Sequence, residues 1–211
     1  MAYFIHRKIL PLIFAPFIGK VTGIENIPKN KGVILAANHS SYLDHFVIGC
    51  SVLSKANRMI FFLSKKEHFD TFFQRQWHKF LKAIPIDRSA GGKEALAEAV
   101  KYLKKNNIIM IYPEGTRTLT GRLNRAKTGV IRLALQAKVP VVPIGVTNTF
   151  RMLPKGKTIP QWGIKADVNL GTPIYFNKYY GKENNKKTLR LLTTKLMKEI
   201  GKLAKQKYEF D

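Results

Sequence analysis

The chain has 211 residues, 45% of them hydrophobic, which is enough for one sizeable core and a single domain. Its 37 lysines and arginines face only 13 acids, and a net charge of +24 excludes the balanced surface of an ordinary cytosolic enzyme and calls for an anionic partner. The single cysteine, Cys50, excludes an internal disulfide and fits a reducing, cytoplasmic setting.

The amino-terminal stretch is apolar from Ile9 to Ile18, with Pro11 and Pro16 inside it. A bilayer span takes about 20 apolar residues, so this run is too short to cross one. No small-x-small cleavage site follows Ala15-Pro16-Phe17-Ile18, which argues against a signal peptide. Phe4, Ile5, Phe14 and Phe17, flanked by Arg7, Lys8 and Lys20, describe a helical segment lying in a membrane interface. The competing reading is that the segment covers the protein's own core. The expected division is residues 1–20 as this segment and 21–211 as the domain.

Val33-Ile34-Leu35-Ala36-Ala37 reads as a buried strand and Leu43 to Val52 as a helix. Between them stands Asn38-His39-Ser40-Ser41-Tyr42-Leu43-Asp44. Positions five apart do not share a helix face, so the chain turns between His39 and Asp44, with Ser40 or Ser41 as the natural N-cap. This places an imidazole and a carboxylate where a strand meets a helix, at the carboxyl edge of a sheet, where open α/β folds bind ligands. A histidine whose proton is steered by a fixed carboxylate deprotonates a hydroxyl near neutral pH. The plainer reading is a histidine satisfying a local turn.

Phe61, Phe62, Phe69, Phe72, Phe73, Trp77 and Phe80 form an aromatic-rich stretch suited to core packing, an acyl-binding wall or a membrane-facing patch. Ile84-Pro85-Ile86-Asp87-Arg88 is a short strand ending in a cation, and an alanine-rich helical pattern follows Gly91-Gly92 as far as Leu103. Ile108 to Tyr112 is a further strand, stopping at Pro113 before Glu114-Gly115-Thr116-Arg117. In that loop glycine admits a close ligand, threonine offers a hydroxyl, and the planar arginine fork suits a phosphate, with Glu114 placed to orient it. Taken singly, the tetrapeptide also reads as a surface turn with one solvated salt bridge.

Lys127-Thr128-Gly129 leads into a helical stretch from Val130 to Ala137. In Val139-Pro140-Val141-Val142-Pro143-Ile144 the prolines suit a strand start or a sheet edge better than a central ladder. Leu189, Leu192, Leu196, Ile200 and Leu203 recur at helical spacing in a lysine-rich tail, an amphipathic helix that packs on the body with its basic face in solvent or against lipid headgroups.

Four ordered blocks, Asn38 to Asp44, Ile84 to Arg88, Pro113 to Arg117 and Val139 to Pro143, resemble those of the glycerolipid acyltransferases typified by 1-acylglycerol-3-phosphate O-acyltransferase. The resemblance runs over roughly residues 21 to 176. It departs from the family in a glycine usually found before the second block, since Lys82-Ala83 stands there. The resemblance implies an α/β domain with a mixed, largely parallel sheet flanked by helices. It also implies transfer of a fatty acyl group from acyl carrier protein or acyl-coenzyme A to the free hydroxyl of 1-acylglycerol 3-phosphate, giving phosphatidic acid. His39 would be the general base and Asp44 would hold its tautomer. Glu114, Gly115, Thr116 and Arg117 would bind the acceptor phosphate, with Arg88 and Lys65 as further contributors.

Acylation of glycerol 3-phosphate or another lysophospholipid is the close alternative, and a non-catalytic membrane-docked lipid-binding protein is the alternative of another class. No Gly-x-Ser-x-Gly elbow is present, so direct transfer between two bound substrates is expected, without a cofactor beyond the thioester. Cys50 reads as a small core residue rather than a nucleophile. His6, His45, His68 and His78 lack ligand spacing, so no metal is expected. Nucleic acid is the rival explanation for the charge, but no helix-turn-helix, zinc spacing or RNA-recognition signature occurs. The expected partners are therefore an anionic membrane surface, a lysophospholipid and an acyl donor, with the protein peripheral or monotopic on the cytoplasmic face of the cell membrane.

Overall fold

In a computed structural model the described residues are 8–56, 58, 60–80, 82–86 and 93–211. Their strands form a seven-stranded sheet: β1 Ile18–Thr22, β2 Val33–Ala37, β3 Ile60–Lys65, β4 Ala83–Ile86, β5 Ile108–Ile111, β6 Val141–Val146 and β7 Ala166–Leu170. The order across the sheet is β1-β7-β6-β2-β5-β3-β4. β1 and β7 run parallel to each other, and β7 meets β6 antiparallel; every other pairing is parallel. The sheet is thus mixed and largely parallel, as expected.

The helices are α1 Leu10–Phe14, α2 Asp44–Ala56, α3 Phe72–Phe80, α4 Lys93–Lys104, α5 Gly129–Ala137, α6 Thr149–Met152 and α7 Lys186–Leu203. They cover both faces of the sheet, which is why the central strands are continuous apolar runs rather than alternating ones. Along β2, Ile34 and Ala36 pack into a core with α4, α5 and α7, whereas Val33, Leu35 and Ala37 pack into a second core with α2 and the amino-terminal stretch. α7 buries Leu189, Leu192, Leu196 and Ile200, the stripe expected from the sequence, together with Thr193, Met197 and Gly201.

Two sequence expectations need correction. The proline-containing strand is central, not an edge: β6 lies between β7 and β2. Successive residues face opposite neighbours, and on the β2 side Ile34 N donates to Pro140 O, while Pro143 O accepts from Gly171 N on the other side. The absent N–H of Pro143 therefore points away from β2 and removes no bond from the central ladder. Pro140 stands just before the strand, where proline is tolerated.

The division at residue 20 falls inside β1, so the end of the amino-terminal stretch belongs to the sheet. Phe17 is buried in the second core and Phe14 stacks on Phe46 of α2 at 4.5 Å, so these two side chains pack on the protein's own core. Leu12 and Ile13 remain exposed, and Phe4, Ile5 and Arg7 lie outside the described residues. The aromatic stretch also divides: Phe61 and Phe62 pack on opposite faces of the sheet, while Phe72 and Phe73 are exposed.

In the Lys82-Ala83 stretch, where the resemblance implies a glycine, Lys82 has φ of +57°, the left-handed region that favours glycine. The backbone path is the one a glycine would take, with a lysine bearing the strain.

Candidate active site

β2 and β5 are neighbours in the sheet, in register from Val33 opposite Ile108 to Ala36 opposite Ile111. The chain leaves β2 toward β3, on the far side of β5, and leaves β5 toward β6, on the far side of β2. The two connections depart in opposite directions, which opens a crevice at the carboxyl ends of these strands. His39 and Glu114-Gly115-Thr116-Arg117 occupy those two ends.

The turn after β2 is heavily cross-braced. Asn38, buried, donates from Nδ2 to Val146 O at 2.9 Å and accepts at Oδ1 from Val146 N at 2.8 Å, which clasps the turn to the end of β6. Ser41 Oγ donates to Leu153 O at 2.7 Å and accepts from Leu43 N at 3.1 Å. Ser41, the second of the two capping candidates, thus fastens the helix start to the loop after α6.

Asp44, the first residue of α2, is fully buried and turns its carboxylate back onto the turn. Its Oδ2 lies 2.8 Å from His39 Nδ1 and accepts the backbone amides of Ser40 at 2.7 Å and Ser41 at 2.9 Å. A carboxylate oxygen only accepts, so Nδ1 carries the proton and Nε2 keeps the lone pair of a general base. His39 is also stacked flat on Tyr112, with ring centroids 3.8 Å apart and planes 12° from parallel. Bond and stack together fix the imidazole plane.

Glu114 does something other than expected. Both its oxygens are taken by backbone amides: Oε1 accepts His39 N at 2.8 Å and Oε2 accepts Asn124 N at 2.7 Å. It is buried and does not orient Arg117; it binds the His39 loop to its own, and Thr118 N closes the junction by donating to His39 O at 2.9 Å. Burial pushes its carboxyl up to about 7, with nearby Asp44 adding to the rise and the two amides opposing it.

Gly115 has φ of +73°, which lets the chain reverse at the strand end, and Thr116 is exposed beside it. The Arg117 guanidinium lies over the Tyr42 ring, 3.3 Å from its centroid, and its Nη1 is buried without a hydrogen-bond partner. Tyr42 belongs to the same turn as His39, so the base and the guanidinium stand in two loops that hold each other. Lys65 ends β3, one strand beyond β5 on the same edge, and Arg88 lies outside the described residues. Cys50 is buried and its thiol is pushed up to about 12 by burial, which leaves a poor nucleophile at neutral pH.

Sequence reasoning missed Tyr112, Tyr42 and the clasp made by Asn38. The register of the sheet places the first of these: Met110 pairs with Leu35, so Tyr112, two residues on, falls on the side of Ala37 and His39.

A family model described as Acyltransferase matches residues 19–147, which includes both loops and β6. The chain belongs to the acyltransferase family. It is 31% identical over 141 residues to a 1-acyl-sn-glycerol-3-phosphate acyltransferase of Bacillus subtilis, covering 65% of this chain and 68% of that protein. It is 27% identical over 177 residues to a probable 1-acyl-sn-glycerol-3-phosphate acyltransferase of Mycoplasma genitalium, covering 82% and 66%. The chain thus spans about two thirds of these relatives, and 58% of the corresponding Mycoplasma pneumoniae protein. The fold is shared with the crystal structure of the 1-acyl-sn-glycerophosphate acyltransferase of Thermotoga maritima, at a TM-score of 0.72 and 24% identity over 99% of this chain and 80% of that one.

Proposed function

We propose that this acyltransferase moves a fatty acyl group from an acyl thioester, on acyl carrier protein or coenzyme A, to the free hydroxyl of 1-acylglycerol 3-phosphate. The carrying observation is the pairing of an Asp44-held imidazole with an unpartnered, buried guanidinium donor of Arg117 in the adjoining loop. The printed names of the Bacillus and Mycoplasma relatives support the choice of acceptor.

In this reading His39 Nε2 takes the hydroxyl proton as the oxygen attacks the thioester carbonyl carbon, forming the ester C–O bond. The C–S bond then breaks, and the departing thiolate receives the proton from the imidazolium. Asp44 stabilises the imidazolium between the two steps. Arg117, with Gly115 and Thr116, receives the acceptor phosphate, and Lys65 and Arg88 are the further cations proposed for it. Glycerol 3-phosphate or another lysophospholipid would use the same chemistry. No helix among the described residues is long and apolar enough to cross a membrane. The amphiphilic acceptor and the +24 charge favour a peripheral or monotopic protein on the anionic, cytoplasmic leaflet.

The test offers purified protein both thioester donors with a panel of lysolipids and identifies the product by mass. Phosphatidic acid is expected from the native chain. His39→Ala should lose transfer while keeping lipid binding, and Arg117→Ala should raise the KM for the acceptor far more than that for the donor. An unchanged acceptor KM would reject the phosphate role, and no turnover with any pair would leave only a lipid-binding protein.

A further inference from the structure

The loop between α6 and β7 carries two large apolar side chains in solvent, Ile159 at 80% exposure and Trp162 at 70%. Its base is firm: Gln161 N donates to Met152 O at 2.7 Å, Lys157 N to Pro154 O at 3.1 Å, and Asn148 Nδ2 to Lys165 O at 3.0 Å. The tips are open, since a Cβ added at Gly156 or Gly163 would meet nothing within 4 Å. A braced loop that holds a tryptophan and an isoleucine outward has no folding reason to do so, because both forgo burial.

The surroundings identify what they meet. Trp162 stands 5.0 Å from Phe17, which continues α1, where Leu12 is 75% exposed and Ile13 is exposed beside it. The Trp162–Phe17 contact thus joins this loop to the stretch that exposes Leu12 and Ile13. From Arg151 to Lys165 the chain holds Arg151, Lys155, Lys157 and Lys165 and no acid, and all four cations are exposed. Apolar tips among cations, with an indole at the margin, match the layered chemistry of an anionic bilayer: hydrocarbon, then interface, then negative headgroups.

The placement also fits. Ser41 Oγ is bonded to Leu153 O, just before this loop, and Phe14 stacks on Phe46, two residues past Asp44. Both apolar elements are therefore fastened to the turn that carries His39.

We infer that the 155–165 loop inserts Ile159 and Trp162 into the interfacial layer of an anionic bilayer while its lysines contact headgroups, forming with α1 a two-part docking surface beside the catalytic turn. The surface is read independently of the reaction. Its use, bringing His39 to the leaflet that holds the acceptor, rests on the proposed function.

The chain has two tryptophans, so Trp77→Phe leaves Trp162 as the sole reporter. With phosphatidylglycerol vesicles its emission should shift to the blue and be quenched by lipids brominated near the glycerol end of the chain. In the otherwise native chain, Ile159→Ser with Trp162→Ser should weaken vesicle partitioning roughly tenfold. Turnover of a water-soluble short-chain lysolipid should stay unchanged. Lys155→Glu should weaken binding about fivefold or more on anionic vesicles and leave phosphatidylcholine vesicles unaffected. Trp162 emission that stays unshifted while the protein sediments with vesicles would overturn the inference. So would normal partitioning by the double variant, including the case where its KM for acyl carrier protein rises, which would mark the face as a protein-docking one. Absence of acyl transfer by the native chain, with Trp162 still entering vesicles, would remove the proposed reaction and leave the surface standing.

Discussion

Asp44→Asn isolates what the carboxylate charge does for His39. The substitution keeps the shape: an amide oxygen in the place of Oδ2 still accepts His39 Nδ1, Ser40 N and Ser41 N, and the amide nitrogen takes the place of Oδ1, which is buried without a partner. What disappears is the attraction for the imidazolium that forms once the hydroxyl proton has moved. Two unit charges at the 2.8 Å of this pair attract by about 6 kcal/mol at an effective dielectric constant of about 20. A neutral hydrogen bond persists and the imidazole is 12% exposed, so the net loss is about 4 kcal/mol, roughly a thousandfold in kcat. Steady-state kinetics over the acceptor concentration should show kcat falling on this scale with acceptor KM within about twofold, because Asp44 does not face the phosphate site. A variant that keeps more than a tenth of the native kcat, with its fold verified, would refute the general-base pairing.

Three other outcomes follow from the geometry. Glu114 should make stability depend on pH: its carboxyl is raised from 4.5 to about 7, so its contribution is full below about pH 4.5 and is lost as pH rises through 7. That gap corresponds to about 3 kcal/mol, and urea unfolding from pH 5 to 8 should show the decline in the native chain and a flatter profile in Glu114→Gln. Tyr42→Leu removes the ring beneath the Arg117 guanidinium, at about 1 kcal/mol, and should raise acceptor KM about fivefold with kcat nearly unchanged; Tyr42→Phe should behave as native. At Gly145 an added Cβ would lie 2.1 Å from the Leu203 carbonyl carbon and 2.2 Å from Ala204 N. Gly145→Ala should therefore force the end of α7 off β6 and lower the thermal midpoint by more than about 5 °C, whereas Gly163→Ala, at an open turn with φ of +81°, should cost only about 1–2 kcal/mol.

The sequence was most informative where a feature is local. Continuous apolar runs announced β2 and β5, the helical spacing of leucines announced α7, and the turn from His39 to Asp44 followed from a five-residue separation that no helix face accommodates. These depend on backbone period and on the chemistry of adjacent side chains, which a linear pattern contains. β1 and β7 carried no comparable signal. β7 alternates buried and half-buried residues over five positions, and β1 has no fully buried residue, as befits a strand at the sheet's edge.

Only the tertiary structure decided how the pieces of the site meet. Glu114 looked like a ligand because its neighbours are polar and glycine-rich, yet its partners are the amides of His39, 75 residues away, and Asn124. Tyr112 lies on His39 and Tyr42 under Arg117 because β5 is inserted next to β2, a choice of strand order that no local pattern encodes. Residue chemistry named the base and the guanidinium; the order of strands across the sheet brought them to one crevice, since contacts between distant segments are settled by how buried faces pack together and not by neighbours along the chain.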